Sequence, residues 1–239
     1  MTRSGGSGAA AWVLLAAYVV GSVVELTAVA QQWTLVDRAS KPLLMPLLAA
    51  YLLVRVGARG RVLPVVVGLA FACGGDIALL VSGMAFFALG MGLFAVTHVC
   101  YLVAFLRSGA LAGLRRRAWV PVLYALGWLA LLVVMHDRVS VPLLVALCIY
   151  GIVLYAMASG AACLDAVIGV GGLLFAVSDT MIALNTGGLR LPAHDLAVML
   201  TYLLGQAVLV VRFAGLVSAA RGSSPADRVT SARGPAGSR

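Results

Sequence analysis

VLPVVVGLAFACGGDIALLVS, residues 62–82, is an apolar run with a single charge, Asp76, inside it; Arg59 and Arg61 bound it on one side and Gly83 on the other. A helix of about 20 residues, rising 1.5 Å each, crosses the roughly 30 Å of bilayer hydrocarbon. This run has that length. Read the same way, with charges and helix breakers as punctuation, the chain divides into eight such segments. They cover residues 10–30, 38–57, 62–82, 84–107, 118–135, 139–160, 162–184 and 194–217. The fifth, between Arg117 and Asp137, is the tightest fit.

Composition agrees with this reading. Of the 239 residues, 63% are hydrophobic and 10% charged, and the mean hydropathy is +1.08. A soluble domain has about a quarter of its residues charged. Eight acidic and 17 basic side chains cannot cover the surface of a water-soluble globule this apolar. A cytosolic enzyme, a nucleic-acid binder and a disulfide scaffold are excluded. Cys73, Cys100, Cys148 and Cys163 are scattered through apolar runs without CxxC spacing and read as buried thiols. The expected fold class is all-α, a polytopic membrane protein with about eight transmembrane helices in one bundle.

The net charge of +9 has a topological meaning. With Met1 on the cytoplasmic side, 13 basic residues fall on the inner loops and tail, and four, Arg38, Lys41, Arg138 and Arg190, fall outside. Basic residues mark cytoplasmic loops. Both termini are therefore expected in the cytoplasm, with the chain in a bacterial cytoplasmic membrane. Ala28-Val29-Ala30 before Gln31 matches a signal-peptidase site, but the preceding run is long and Glu25 sits just before it, so the run is read as a first span. Residues 1–218 form the expected transmembrane domain. Residues 219–239, rich in Gly, Ser, Pro, Ala and Arg, form an expected disordered cytoplasmic tail.

Ionisable groups inside hydrocarbon cost about 2.5–3.5 kcal/mol each on insertion scales, so those that persist point to function. They are Glu25, Lys41, Asp76, His98, Asp165 and Asp179, with Tyr101, Ser178, Asn185, Tyr202 and Gln206 available as hydrogen-bonding companions. Lys41 is the only lysine in the chain, and only 13 residues separate it from Arg55. The second helix must start nearer Asp37, which puts Lys41 about one turn inside the membrane. Glu25, Lys41, Asp76, His98 and Asp179 all fall in the outer half or middle of their spans and are expected to line one cavity. Asp165 falls on the inner side and is expected to be interfacial. Gly74-Gly75 and Gly169, Gly171 and Gly172 near the two aspartates suit either close helix contact or space for substrate.

A duplication is a further expectation. Pro42-Leu43-Leu44 with Tyr51 recurs as Pro142-Leu143-Leu144 with Tyr150, and Ala70-Phe71-Ala72 with Asp76 as Leu174-Phe175-Ala176 with Asp179. Four-helix units have an even number of crossings, so copies at 10–107 and 118–217 would be parallel, with Asp76 and Asp179 facing a common centre.

At these residues the chain resembles the YhhN-like family, whose characterised animal members are lysoplasmalogenases. The resembling stretches are Lys41-Pro42-Leu43-Leu44-Met45-Pro46, Gly75-Asp76, His98-Val99-Cys100-Tyr101, Phe175-Ala176-Val177-Ser178-Asp179 with Asn185, and Thr201-Tyr202 with Gln206. The family is described as eight-helix membrane proteins. The resemblance implies hydrolysis of the vinyl ether bond of a lysoplasmalogen to a fatty aldehyde and a glycerophospho-base. The expected partners are a lysophospholipid or related single-chain ether lipid and the bilayer, with no nucleic acid, no cofactor and no metal.

Enol ethers hydrolyse when an acid protonates the β-carbon and water captures the oxocarbenium ion. Two carboxylates in unlike environments supply the proton and the negative charge. Asp76 and Asp179 are the expected catalytic pair, either of them the acid. Lys41 and Glu25 would tune a carboxylate or hold the headgroup. His98, Tyr101, Ser178, Asn185, Tyr202 and Gln206 would position water and substrate. A zinc hydrolase needs three or four ligands, whereas His98 is the one histidine deep in a span; His136 and His194 sit at helix ends. The rival class is a small transporter or lipid-binding protein using the same groups as a relay. A structural subunit is the third reading.

Overall fold

The computed structural model describes residues 4–58 and 60–222, and all regular structure among them is helical. The elements are α1 (Ser4–Gln31), α2 (Thr34–Val56), α3 (Val62–Leu79), α4 (Met84–Arg107), α5 (Ala110–Arg116), α6 (Trp119–Met135), α7 (Val141–Leu164), α8 (Ala166–Thr186) and α9 (His194–Gly222). Seven of these are long and apolar enough to cross a bilayer. The 17-residue α6 meets α5 at 87°, and this bent pair counted as one gives an eighth crossing. The expected tail boundary at 218 falls inside α9, whose helical pattern continues to Gly222; residues 223–239 lie outside the described residues.

Apolar side chains face outward and polar ones inward. Leu35, Val133 and Val141 are 83%, 77% and 74% exposed, whereas Glu25, His98 and Gln206 are fully buried. Water would reverse that distribution; hydrocarbon produces it, because only the bundle interior can satisfy polar groups. The chain is a polytopic membrane protein.

Neighbour packing follows chain order except at α5 and α6. Helices α1, α2, α3, α4, α7, α8 and α9 form a ring that closes where α9 packs on α1 and α2; α6 packs on α7 outside the ring, and α5 packs on α4 and α7. One end of the ring gathers Arg55, Arg107, Arg115, Arg116 and Arg212. At the other, α1 turns into α2 and α8 turns into α9.

Local chemistry sets the helix ends. Asp165 is not inside a span: it adopts an extended conformation between α7 and α8. Its Oδ1 accepts from the Val167 and Ile168 backbone amides, and both of its oxygens accept from the Arg212 guanidinium. The apolar run read as one segment over 162–184 therefore breaks at the first of its two carboxylates, because Asp165 satisfies the orphan amides of a helix start. In α2, Pro46 has no N–H for the Pro42 carbonyl. The Cys73 thiol of α3 donates to that carbonyl at 3.3 Å, tying the two helices together at the residue next to Lys41.

The glycines beside the aspartates serve helix contact. A Cβ on Gly75 would lie 2.8 Å from the Phe94 ring, and one on Gly171 would lie 2.9 Å from the Leu209 amide nitrogen of α9. Neither glycine lines the main cavity.

Candidate active site

A cavity of about 730 Å³ lies at the end of the ring opposite the arginines. Its lining includes Lys41 and Asp37 of α2, Asp76 of α3, Phe87 and Phe94 of α4, Ser178, Asp179, Ile182 and Asn185 of α8, and His194 and Tyr202 of α9. All but Phe94, at the middle of α4, lie in the half of their helix on this side, so the antiparallel helices bring together residues up to 165 positions apart in sequence.

The two carboxylates face this cavity with unlike partners. Asp76 is 5% exposed, and its Oδ2 accepts from the Tyr202 hydroxyl at 2.8 Å. Gln206 Nε2 lies 3.5 Å from that hydroxyl, and the Tyr101 hydroxyl donates to Gln206 Oε1 at 2.7 Å. Tyr101 and Gln206 are therefore a buried chain behind Tyr202 and do not line the cavity.

Asp179 has two companions. The Tyr150 hydroxyl of α7 donates to its Oδ2. His98 Nε2 lies 3.0 Å from the Tyr150 hydroxyl oxygen and 3.2 Å from the same carboxylate oxygen. His98 Nδ1 is buried and has no hydrogen-bond partner. A neutral ring with its proton on Nε2 fits these contacts, since it leaves a bare acceptor and not a bare donor in the core.

Beneath both carboxylates the rings of Phe94, His98, Phe175 and Tyr202 meet edge to face, His98 and Phe175 at 4.7 Å and Phe175 and Tyr202 at 5.3 Å. This floor fixes the two rings that touch Asp76 and Asp179.

Lys41 is held between acids, 3.1 Å from Asp37 and 3.5 Å from Glu25. Glu25 is fully buried behind Lys41, where Ser40 Oγ donates to its Oε2 at 2.6 Å. Glu25 therefore reaches the cavity only through Lys41. Ser178 Oγ donates to the Val198 carbonyl, which ties α8 to α9. Among the described residues no group of three or more His, Cys, Asp or Glu is arranged to hold a metal ion.

The contacts recur at a nearly constant spacing. Asp76 and Asp179 are 103 residues apart, and their partners His98 and Tyr202 are 104 apart, as are Thr97 and Thr201. Each of these threonines donates from its hydroxyl to the carbonyl four residues earlier.

A model described as the YhhN family matches residues 36–213, about three quarters of the chain, from the start of α2 into α9. The chain belongs to the YhhN family. The matched stretch contains both cavity aspartates with Lys41, His98, Tyr101, Tyr150, Ser178, Asn185, Tyr202 and Gln206; Glu25 lies outside it. No curated protein and no solved structure matches this YhhN chain.

Some cavity residues were not among the sequence candidates. Tyr150 had been noted only as the counterpart of Tyr51. Asp37 and Phe94 line the cavity and Ser40 holds Glu25 behind it, and none of the three had a role assigned from the sequence. His194, read as a helix-end residue, lines the cavity. A tyrosine or phenylalanine in an apolar run carries no local sign of which way it faces.

Proposed function

We propose that the protein is an intramembrane hydrolase that cleaves the vinyl ether bond of a lysoplasmalogen or a closely related single-chain ether lipid, giving a fatty aldehyde and a glycerophospho-base. One observation carries the reading: Asp76 and Asp179 face a single cavity while each is held by different donors. A carboxylic acid protonates the alkenyl β-carbon, and a carboxylate removes a proton from the water that captures the cation. Lys41 stands at the polar side, where it holds the lipid phosphate. Tyr202, His98 and Tyr150 fix the carboxylates, and Ser178 and Asn185 face the headgroup.

We read both termini as cytoplasmic, a reading supported by the excess of basic residues at the arginine-rich end of the ring. The cavity then faces the outer leaflet. We read Asp76 and Asp179 as equivalent positions in two parallel four-helix units, 10–107 and 118–217. The transporter reading has less support. A relay needs ionisable groups along its whole path, whereas the arginine-end half of the interior is packed with Leu52, Phe105 and Phe213.

The test is aldehyde release from a lysoplasmalogen by detergent-purified protein and its Asp76→Asn and Asp179→Asn variants. Each folded variant is expected to keep less than about a tenth of wild-type turnover. Wild-type protein that releases no aldehyde, or a variant with near-full activity, overturns the proposal.

A further inference from the structure

We infer that the hydrocarbon chain of the substrate reaches Asp179 from the side, between α6 and α8, and lies in an apolar cleft that branches off the polar cavity. This rests on the hydrolase reading above.

Three cavities are arranged in series. The polar cavity shares Phe87, Phe94, Asp179 and Ile182 with a narrow cleft of about 40 Å³, walled by Met91 of α4, Leu131 of α6 and Leu147 and Leu154 of α7. That cleft in turn shares Tyr155 and Thr180 with a groove of about 610 Å³ between α6 and α8, lined by Leu123, Gly127, Leu173 and Val177. The groove exists because α6 packs on α7 outside the ring and leaves the flank of α8 uncovered; Leu173 there is 50% exposed to the bilayer.

A single contact divides groove from cleft. Tyr155 and Thr180 are hydrogen-bonded at 2.7 Å. Thr180 uses its own hydrogen on the Ala176 carbonyl, so Tyr155 is the donor. They are the two side chains common to cleft and groove, so parting them is the step that would join the two.

The occupant follows from the linings. Apart from Asp179 and the hydroxyls of Tyr150, Tyr155 and Thr180, the cleft is apolar; at about 40 Å³ it admits the first methylenes of one chain and excludes a headgroup, and the rest of the chain lies in the groove of about 610 Å³. The cavity beyond it adds Lys41, Asp37, Ser178, Asn185 and His194 to apolar walls such as Phe87 and Met199, and those polar groups suit a zwitterionic glycerophosphate headgroup. A molecule filling both has a polar head, one tail and a junction beside Asp179. In a single-chain ether lipid that junction is the vinyl ether. Asp179 borders both spaces, whereas Asp76 borders only the polar one.

This placement divides the chemistry. The chain-side carbon of the double bond is the one that takes the proton. The π electrons form a C–H bond with the Asp179 proton, leaving an oxocarbenium ion and the Asp179 carboxylate. Water adds to the carbon next to oxygen and gives a proton to Asp76. The hemiacetal hydroxyl returns a proton to Asp179 as the C–O bond to glycerol breaks, and Asp76 protonates the departing oxygen. The products are aldehyde and alcohol, and both carboxyl groups regain their starting states.

The test uses a lysophosphatidylcholine with a photoreactive diazirine near the end of its chain, irradiated with purified full-length protein and mapped by mass spectrometry. Adducts are expected on the α6, α7 and α8 peptides that wall the cleft and groove. In Leu147→Trp and, from the opposite wall, Met91→Trp, labelling should fall at least fivefold. In the same variants the ratio of kcat/KM for a sixteen-carbon over a four-carbon alkenyl substrate should fall about tenfold. Labelling on α1 or α9 peptides, or equal losses for both chain lengths in both variants, overturns the inference. Cleft labelling without any aldehyde release supports the chain site while refuting the hydrolase reading.

Discussion

Tyr202→Phe is the most informative single change. The substitution removes one oxygen and leaves the ring, so the edge-to-face packing against Phe94 and Phe175 at 5.8 and 5.3 Å is kept. What is lost is the hydroxyl that donates to Asp76 Oδ2 at 2.8 Å, together with the weak 3.5 Å contact from Gln206. A hydrogen bond to a charged group contributes about 1.5–3 kcal/mol. If the full amount is felt in holding Asp76 ionised and aimed at the water, kcat falls about 10- to 150-fold, since about 1.36 kcal/mol is a factor of ten. Tyr101→Phe is the control. Its hydroxyl touches Gln206 and not the carboxylate, so the fall in kcat should be several times smaller. The assay is aldehyde release over a range of substrate concentrations, with a thermal melt of each variant in the same detergent. If Tyr202→Phe melts like wild type and turns over within about twofold of it, Tyr202 does not position Asp76 for catalysis and the division of roles collapses.

Two further outcomes test the surroundings of the site. Lys41→Met leaves the fully buried Glu25 with Ser40 as its sole partner; breaking a buried pair costs about 3–5 kcal/mol, so the melting temperature should drop sharply and recover in Lys41→Met/Glu25→Gln, and a single variant as stable as wild type would show that the pair contributes nothing. At the arginine-rich end, the hydrogen bond from the Arg212 guanidinium holds the Asp165 carboxyl below the usual carboxylate range. Because the folded-state value is the depressed one, the stabilisation is fully present above about pH 4, the unfolded range, and fades as pH falls through the lower folded value. Asp165→Ala should therefore cost about 0.5–2 kcal/mol at neutral pH through the lost cap and reduce the steepness of acid unfolding below pH 4, with turnover unchanged; melting curves at pH 3, 4 and 7 check both.

The spans were legible because a membrane helix is encoded locally, by hydropathy over about 20 residues. The site was partly legible for a related reason. In a chain this poor in charge, Lys41, Asp76 and Asp179 stand out against their runs, and all three line the cavity. What stayed hidden depends on rotation and packing. Tyr150 could face lipid or core; only the approach of α7 to α8 aims it at Asp179. Glu25 and His98 read like cavity residues yet lie one shell behind it, because Lys41 and Asp179 occupy the positions in front of them. The short α5 had no readable signal, since seven residues are too few to show a period. The local pattern places it no better than a loop, and it is set by contact, with Gly113 so close to the Cys163 carbonyl that a Cβ would fall 2.0 Å from that oxygen.

Two carboxylates in matching places would be expected to behave alike, and the reaction proposed needs them to differ. The difference is traceable to the helices that follow them. On α9, the position matching His98 is a tyrosine, and Tyr202 gives Asp76 one donor on one oxygen. Around Asp179, His98 and Tyr150 crowd a single oxygen, Oδ2, from two helices. With one N–H and one O–H converging there, Oδ2 is fully engaged and Oδ1 is the oxygen left free to meet the substrate. The free oxygen can then exchange a proton with the substrate without disturbing the partners on Oδ2. Exchanging the partners is the corresponding perturbation. In His98→Tyr/Tyr150→Phe a single tyrosine hydroxyl would face Asp179, as Tyr202 faces Asp76, and the pair would lose the asymmetry on which the proton cycle depends.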